Sequence, residues 1–239
     1  MHKIFILGIL LIIQNVMLGE QNYDLKTEPS FIGICSQITR ESKLYNPYSV
    51  RDELIGSLVE ANVHFTRTGF QWRLIHPEKD KWDWRVSDQA IQSAKENDVF
   101  ILGLIGGIPK FAMTNPIEHI DLWLEFVDSL TIRYKSKIYH WEILNEPNLR
   151  SGKYWPQNFL PSPYIDYIIK AAEIIKKNQP ESTILLGGLA SSKKLKPFEF
   201  WESMFKLNVL DYVDGLSYHP YHYPGKDLIK FTQKLKKLI

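Results

Sequence analysis

From residue 31 onward, short apolar runs rich in Val, Ile, Leu and aromatic residues alternate with longer stretches in which apolar residues recur every three or four positions. This is the pattern of β-strands alternating with α-helices around a parallel sheet. Strands are predicted to begin near Phe31, Val63, Val99, Tyr139, Thr183 and Gly215. The helices between them carry their own boundary signals. Asn46 and Pro47 supply an N-cap and a first-turn proline ahead of a face made by Val50, Leu54, Leu58 and Ala61. Ser162-Pro163 opens a second helix with the stripe Ile165, Ile168, Ile169, Ala172 and Ile175, and Pro180 closes it. A last helix carries Leu228, Phe231, Leu235 and Leu238, and its five lysines between Lys226 and Lys237 form a solvated face.

Successive strand starts are 32, 36, 40, 44 and 32 residues apart, about 37 on average. That is the unit of a (β/α)8 TIM barrel rather than of a solenoid, whose repeats are shorter and more alike. Six units are present, so the expectation is an α/β fold, a barrel cut short after about six βα units. A smaller open sheet of the doubly wound kind is the alternative. No Gly-x-Gly-x-x-Gly follows the first strand, where Phe31 to Cys35 runs into Ser36-Gln37. A dinucleotide site thereby loses its main support, and no cofactor is expected.

The amino terminus follows a different pattern. His2 and Lys3 precede an apolar run from Ile4 to Ile13, followed by polar residues and the small Gly19. Residues 1–19 read as a secretory leader, 20–30 as an extended segment and 31–239 as the barrel domain. The run is shorter than the roughly twenty apolar residues that span a bilayer, so an uncleaved anchor is the lesser reading. Once the leader is removed, no stable membrane insertion is expected and the protein is secreted or periplasmic. A formal charge of +2, with basic residues scattered outside the last helix, gives no footprint for nucleic acid. A lone Cys35 excludes an internal disulfide and a cysteine-based metal scaffold. Seven Trp and twelve Tyr exceed what core packing usually requires and suit faces that bind sugars or other flat ligands.

In a parallel barrel, reactive groups sit at the carboxyl ends of the strands. The fourth strand reads Tyr139-His-Trp-Glu-Ile-Leu-Asn-Glu-Pro-Asn148. Alternation puts His140, Glu142, Leu144 and Glu146 on one face and Tyr139, Trp141 and Ile143 on the other. Pro147, unable to donate to the ladder, is expected to end the strand. Glu146 is then held at the rim of the interior, where a partly desolvated carboxyl can arrive protonated and act as an acid. Asn145 offers a donor and an acceptor to a bound hydroxyl. Asn-Glu-Pro as a plain surface turn is the competing reading.

These residues resemble the clan of barrel glycoside hydrolases with Asn-Glu at the end of the fourth strand, and most closely glycoside hydrolase family 39. The resemblance runs from about Phe31 to Ile239. It is carried by Asn145-Glu146-Pro147; by Arg67 through Trp72, Ile75-His-Pro-Glu78 and Trp82-Asp-Trp84; by Pro109; and by Gly215 through Tyr221. Phe111 stands where that family usually has Trp. The resemblance implies that Glu146 is the general acid/base, that Asn145 holds the 2-hydroxyl of the sugar, and that Arg67, Trp72, His219 and Tyr221 belong to the sugar site. It also implies a carbohydrate substrate, with β-linked xylosides or related polysaccharides as the expected class.

Read without the family, Arg67 is a rigid fork suited to orienting a carboxylate, and an interior ion pair with Glu142 is an equal reading. Trp155, next to Tyr154 in the loop after Asn148, is either a stacking platform for a sugar ring or part of the packing of that loop. His219 and His222 hint at metal, but no ligands converge from other strand ends, and no metal is expected. No Gly-x-Ser-x-Gly elbow follows any strand, which argues against a serine hydrolase. Retaining hydrolysis needs a second carboxyl about 5 to 5.5 Å from the first. Asp98 and Asp214 precede strands, Glu199 and Glu202 lie in a helix, and Glu142 sits deeper on its strand. In the resembling families the nucleophile ends the seventh strand, which this chain is not expected to reach. Two unpaired strand edges favour a barrel cut short over a degenerate protein. A non-catalytic carbohydrate-binding barrel is the rival function.

Overall fold

The computed structural model describes residues 5–8, 33–39, 47–78, 80–149, 154–191, 193–221, 223 and 225–239. The strand start at Phe31, the Asn46 cap, the 20–30 segment, most of the leader and His222 lie outside the described residues. Seven parallel strands form one sheet: β1 (Phe5–Gly8), β2 (Gly33–Cys35), β3 (Phe65–Gln71), β4 (Phe100–Gly106), β5 (His140–Ile143), β6 (Thr183–Ala190) and β7 (Gly215–His219), in the order β1-β7-β6-β5-β4-β3-β2. From β2 to β7 each strand neighbours the next in sequence, and β3 to β7 each begin within two residues of the predicted start. The curl of these six strands, with helices between them, is a partial TIM barrel. β1 falls inside the run read as a leader, where no strand is predicted. It extends the sheet beyond β7, with Phe5 opposite Gly215 and Gly8 opposite Tyr218.

Eight helices are described: α1 (Pro47–Glu60), α2 (Trp72–Ile75), α3 (Arg85–Glu96), α4 (Lys110–Thr114), α5 (Ile120–Arg133), α6 (Ser162–Asn178), α7 (Pro197–Phe205) and α8 (Lys226–Leu238). On α6 the predicted stripe faces inward, with Ile165, Ile168, Ala172 and Ile175 buried and Ile169 partly so. On α1 the buried pair is Ile55 and Leu58. Ala61 does not join them, because the helix stops at Glu60 and Ala61 is exposed. On α8, Phe231 and Leu235 are buried and the five lysines are exposed. None of the described helices is long and apolar enough to cross a membrane.

The main core lies between the outer face of the sheet and the helices. It includes Phe70, Trp123, Phe126, Trp141 and Tyr167, none of them exposed. Each such side chain contributes on the order of 1.5–3 kcal/mol by leaving water. Two of the tryptophans in this layer have their ring nitrogens paired: Trp141 Nε1 donates to Gln179 Oε1 at 3.0 Å, and Trp123 Nε1 to the Tyr167 carbonyl at 3.0 Å. This packing fixes the alternation of β3 to β5, so that Arg67 and Glu142 turn to the opposite, inner face.

Candidate active site

β5 ends at Ile143, earlier than expected, and Pro147 is not what ends it. Leu144 adopts a left-handed backbone with φ of 63°, and Glu146 does so again at 43°. The simple alternation that grouped Leu144 and Glu146 with Glu142 therefore stops at the strand end. The chain remains tied to its neighbours: Leu144 N–H donates to the Ile105 carbonyl and Glu146 N–H to the Gly188 carbonyl, both at 2.8 Å. β6 makes room for this detour. Its pairing with β7 shifts register between Leu186 and Leu189, bracketing Gly187-Gly188. A Cβ on Gly187 would stand 2.2 Å from the Leu144 carbonyl oxygen, and one on Gly188 would stand 2.5 Å from His219 Nε2. Only glycine permits both approaches.

Beneath the rim, Arg67 from β3 forks onto Glu142 from β5, with Nε to Oε2 at 2.6 Å and Nη2 to Oε1 at 3.0 Å. The Glu142 side chain has no exposed surface. Burial works against the Arg67 charge, but the Glu142 carboxylate beside it prevails and holds the guanidinium above its usual range. Of the two readings of Arg67, the geometry shows the interior ion pair with Glu142, and the same guanidinium also reaches Asn145. Nη2 donates to Asn145 Oδ1 at 2.9 Å. The Asn145 oxygen is thereby committed, and its amide nitrogen is the donor end left for a ligand. Glu142 Oε1 also accepts from Gly188 N–H at 3.1 Å. One peptide unit thus lies on either side of Gly188, one bonded to Glu142 and the other to Glu146.

At the rim itself, Glu146 Oε1 and His219 Nδ1 are 2.5 Å apart, with side chains 13% and 4% exposed. β7 brings His219 there, and its carbonyl accepts from the Ser191 hydroxyl. Tyr221 is 69% exposed, with its ring 5.6 Å from that of His219. Partial burial, then the Glu146 charge, raise its phenol above the usual range. Cys35, at the end of β2, has its thiol 3.7 Å from Arg67 Nη1. Glu146, Asn145, His219 and Tyr221 therefore lie at or just past the carboxyl ends of β5 and β7, and Arg67, the third residue of β3, reaches Asn145 from below.

Two expected sugar contacts are corrected. Trp72 has no exposed surface and lies against Phe111, Trp123 and Phe126 on the helix side of the sheet. Trp155 is 1% exposed, donates Nε1 to the Phe159 carbonyl at 3.0 Å, and meets Tyr164 and Tyr167 edge-on. The ring is part of the packing and is not exposed as a platform. Sequence reasoning missed Gly187 and Gly188, although a glycine pair inside a strand is itself a sign of a bulge or a close approach. Among the described residues, no group of three or more His, Cys, Asp or Glu side chains is placed to hold a metal ion.

No protein-family model matches the sequence. Endo-1,4-beta-xylanase A of Xylanibacter ruminicola is 30% identical over 92 residues, which is 34% of this chain and 25% of that protein. The chain thus aligns with about a quarter of the curated relative it matches. Among solved structures, a family 39 glycoside hydrolase from Bacteroides cellulosilyticus WH2 superposes with a TM-score of 0.57 at 17% identity, covering 79% of this chain and 37% of that one. Xylanase 10B from Thermotoga petrophila RKU-1, solved with xylobiose, gives 0.58 at 16% identity over 80% and 62% of the two chains. Xylanase XynB from Paenibacillus barcinonensis gives 0.61 at 14% identity over 86% and 65%. At these identities the likeness is one of fold, that of a TIM barrel, of which the described residues form six βα units.

Proposed function

We propose that this chain carries the acid/base half of a retaining glycosidase site acting on O-glycosidic bonds of β-linked xylose polymers or related polysaccharides. The observation that carries the reading is the Glu146 carboxyl held 2.5 Å from His219 at the strand ends, next to an Asn145 amide oriented by Arg67. The xylanase named above supports the choice of sugar. Protonated Glu146 gives its proton to the leaving oxygen as the bond from the anomeric carbon to that oxygen breaks. The resulting carboxylate later takes a proton from the attacking water. Asn145 donates its free amide hydrogens to a hydroxyl beside the reacting carbon. Tyr221 offers an exposed ring to the sugar face.

The second carboxyl comes from outside the described residues. Glu142 does not serve, because its two oxygens are taken by Arg67 and Gly188. We also read the amino-terminal run as a leader for export, and sequencing of the secreted product should find an amino terminus near residue 20.

The test is titration of xylotriose into the isotope-labelled chain, followed by turnover with azide in place of the second carboxylate. Azide forms its bond to the anomeric carbon as the glycosidic bond breaks, and the Glu146 proton goes to the leaving oxygen. Saturable shifts at Tyr221 and His219 are expected. Glu146→Gln should slow azide-supported cleavage of xylotriose about 10²- to 10⁴-fold, while 4-nitrophenyl xyloside, whose leaving group needs no proton, is slowed far less. Absence of saturable binding, or equal slowing of both substrates, overturns the reading. Binding with no cleavage under azide would identify a carbohydrate-binding barrel instead.

A further inference from the structure

Asn148 takes no part in the chemistry proposed above, yet its side chain is bonded as if it were backbone. It is 5% exposed. Its Nδ2 donates to the Ala190 carbonyl at 2.7 Å, and its Oδ1 accepts from Ala190 N–H at 3.0 Å. A primary amide presents one donor and one acceptor side by side, as a neighbouring strand would. The main chain leaves the ladder after Ile143, and the Asn148 amide restores pairing with β6 five residues later.

The place of that pairing connects it to Glu146. Ala190 lies directly opposite His219 in the β6–β7 register. A closed circuit results: the Glu146 carboxyl to the His219 ring, the His219 backbone to Ala190, Ala190 to the Asn148 amide, and Asn148 back to Glu146 through Pro147. Glu146 needs such support. Its left-handed backbone, like that of Leu144, costs about 1–2 kcal/mol in a residue with a Cβ. Pro147 has no N–H to offer, and its carbonyl is held from the loop side by Gln157 Nε2 at 2.7 Å. On the β6 side, this turn is tied by the Glu146 N–H bond to Gly188 and by the two Asn148 bonds.

We infer that Asn148 is a positioning residue that sets the separation of Glu146 and His219. The inference rests on Glu146 being the acid/base, but its test reads geometry and needs no turnover, so the two fail separately. In the ¹⁵N-labelled full chain, the proton shared between Glu146 and His219 Nδ1 should give a resonance far downfield of other imidazole protons, identified by its loss in His219→Phe. Asn148→Ala should abolish that resonance at a temperature where the rest of the spectrum remains folded. Asn148→Asp keeps the acceptor for Ala190 N–H and loses the donor, so it should weaken and shift the resonance while leaving the chain folded. A purely structural role would lower the melting temperature of both variants and leave the His219 signal in place. An unchanged signal in folded Asn148→Ala, or in Asn148→Asp if the alanine variant does not fold, overturns the inference.

Discussion

Replacing Arg67 with Met should destabilise the protein by about 3–5 kcal/mol, the cost of removing one partner from a buried ion pair. The size of the effect follows from what remains behind. The Glu142 side chain is fully buried, and the variant strips it of two hydrogen bonds from the guanidinium. Gly188 N–H alone would still donate to it. Asn145 Oδ1 loses its donor as well. For a domain of this size, 1 kcal/mol moves the melting temperature by roughly 2–4 °C, so a fall of about 6–20 °C is expected by calorimetry. The companion variant Arg67→Met/Glu142→Gln removes the orphaned charge while keeping an acceptor for Gly188 N–H. It should recover all but about 1–3 kcal/mol, the cost of the hydrogen bonds still missing. A single variant within 1 kcal/mol of the parent, or a double variant no better than the single, would refute the argument that the pair is held as a unit away from water.

Gly188→Ala should displace the His219 ring, since the new methyl would stand 2.5 Å from Nε2, and the contact with Glu146 should be lost from the NMR spectrum. Tyr221→Ala should weaken xylotriose binding roughly 3- to 10-fold, the worth of one aromatic contact, and change stability by no more than about 0.5 kcal/mol. Trp155→Ala should do the reverse: a loss of about 3–5 kcal/mol in stability, with affinity unchanged wherever the variant is folded. His76 is 2% exposed, stacked on Trp82 at 3.8 Å, and burial lowers its pKa; burial lowers that of His140 too. Their unfolded forms take up protons near pH 6.5 while the folded forms resist, so their stabilising contribution is full above that pH and falls as the pH drops toward the folded values. Urea midpoints measured from pH 7.5 downward should show this decline, and His76→Phe should flatten part of it.

The strand starts and helix stripes were legible because they depend on periodicity, which local sequence carries directly. Alternation also contained the answer for Trp72. Counting from Arg67, which faces inward, Thr68, Phe70 and Trp72 fall on the other face, and that is where the ring lies. The family likeness drew that residue toward the sugar site, and strand parity was the better guide. Trp155 offered no such clue, because a loop has no period and a buried tryptophan reads the same as an exposed one. The turn of Leu144 and Glu146 into left-handed backbone was hidden for another reason. Neither residue favours that conformation, and the contacts that hold it come from β4 and β6, about forty residues away on either side.

Those distant contacts explain why the rim and the interior behave as one structure. Gly188 donates its N–H to Glu142 and accepts the N–H of Glu146 on its carbonyl, while Arg67 binds both Glu142 and Asn145. A change at the buried carboxylate therefore reaches Glu146 along two routes, through the β6 backbone and through the guanidinium. Strain in the left-handed turn is tolerated because these routes meet it from both sides. If Arg67 variants altered stability alone, with no movement at His219, the two layers would be independent, and the orientation of Glu146 would rest on the turn and Asn148 by themselves.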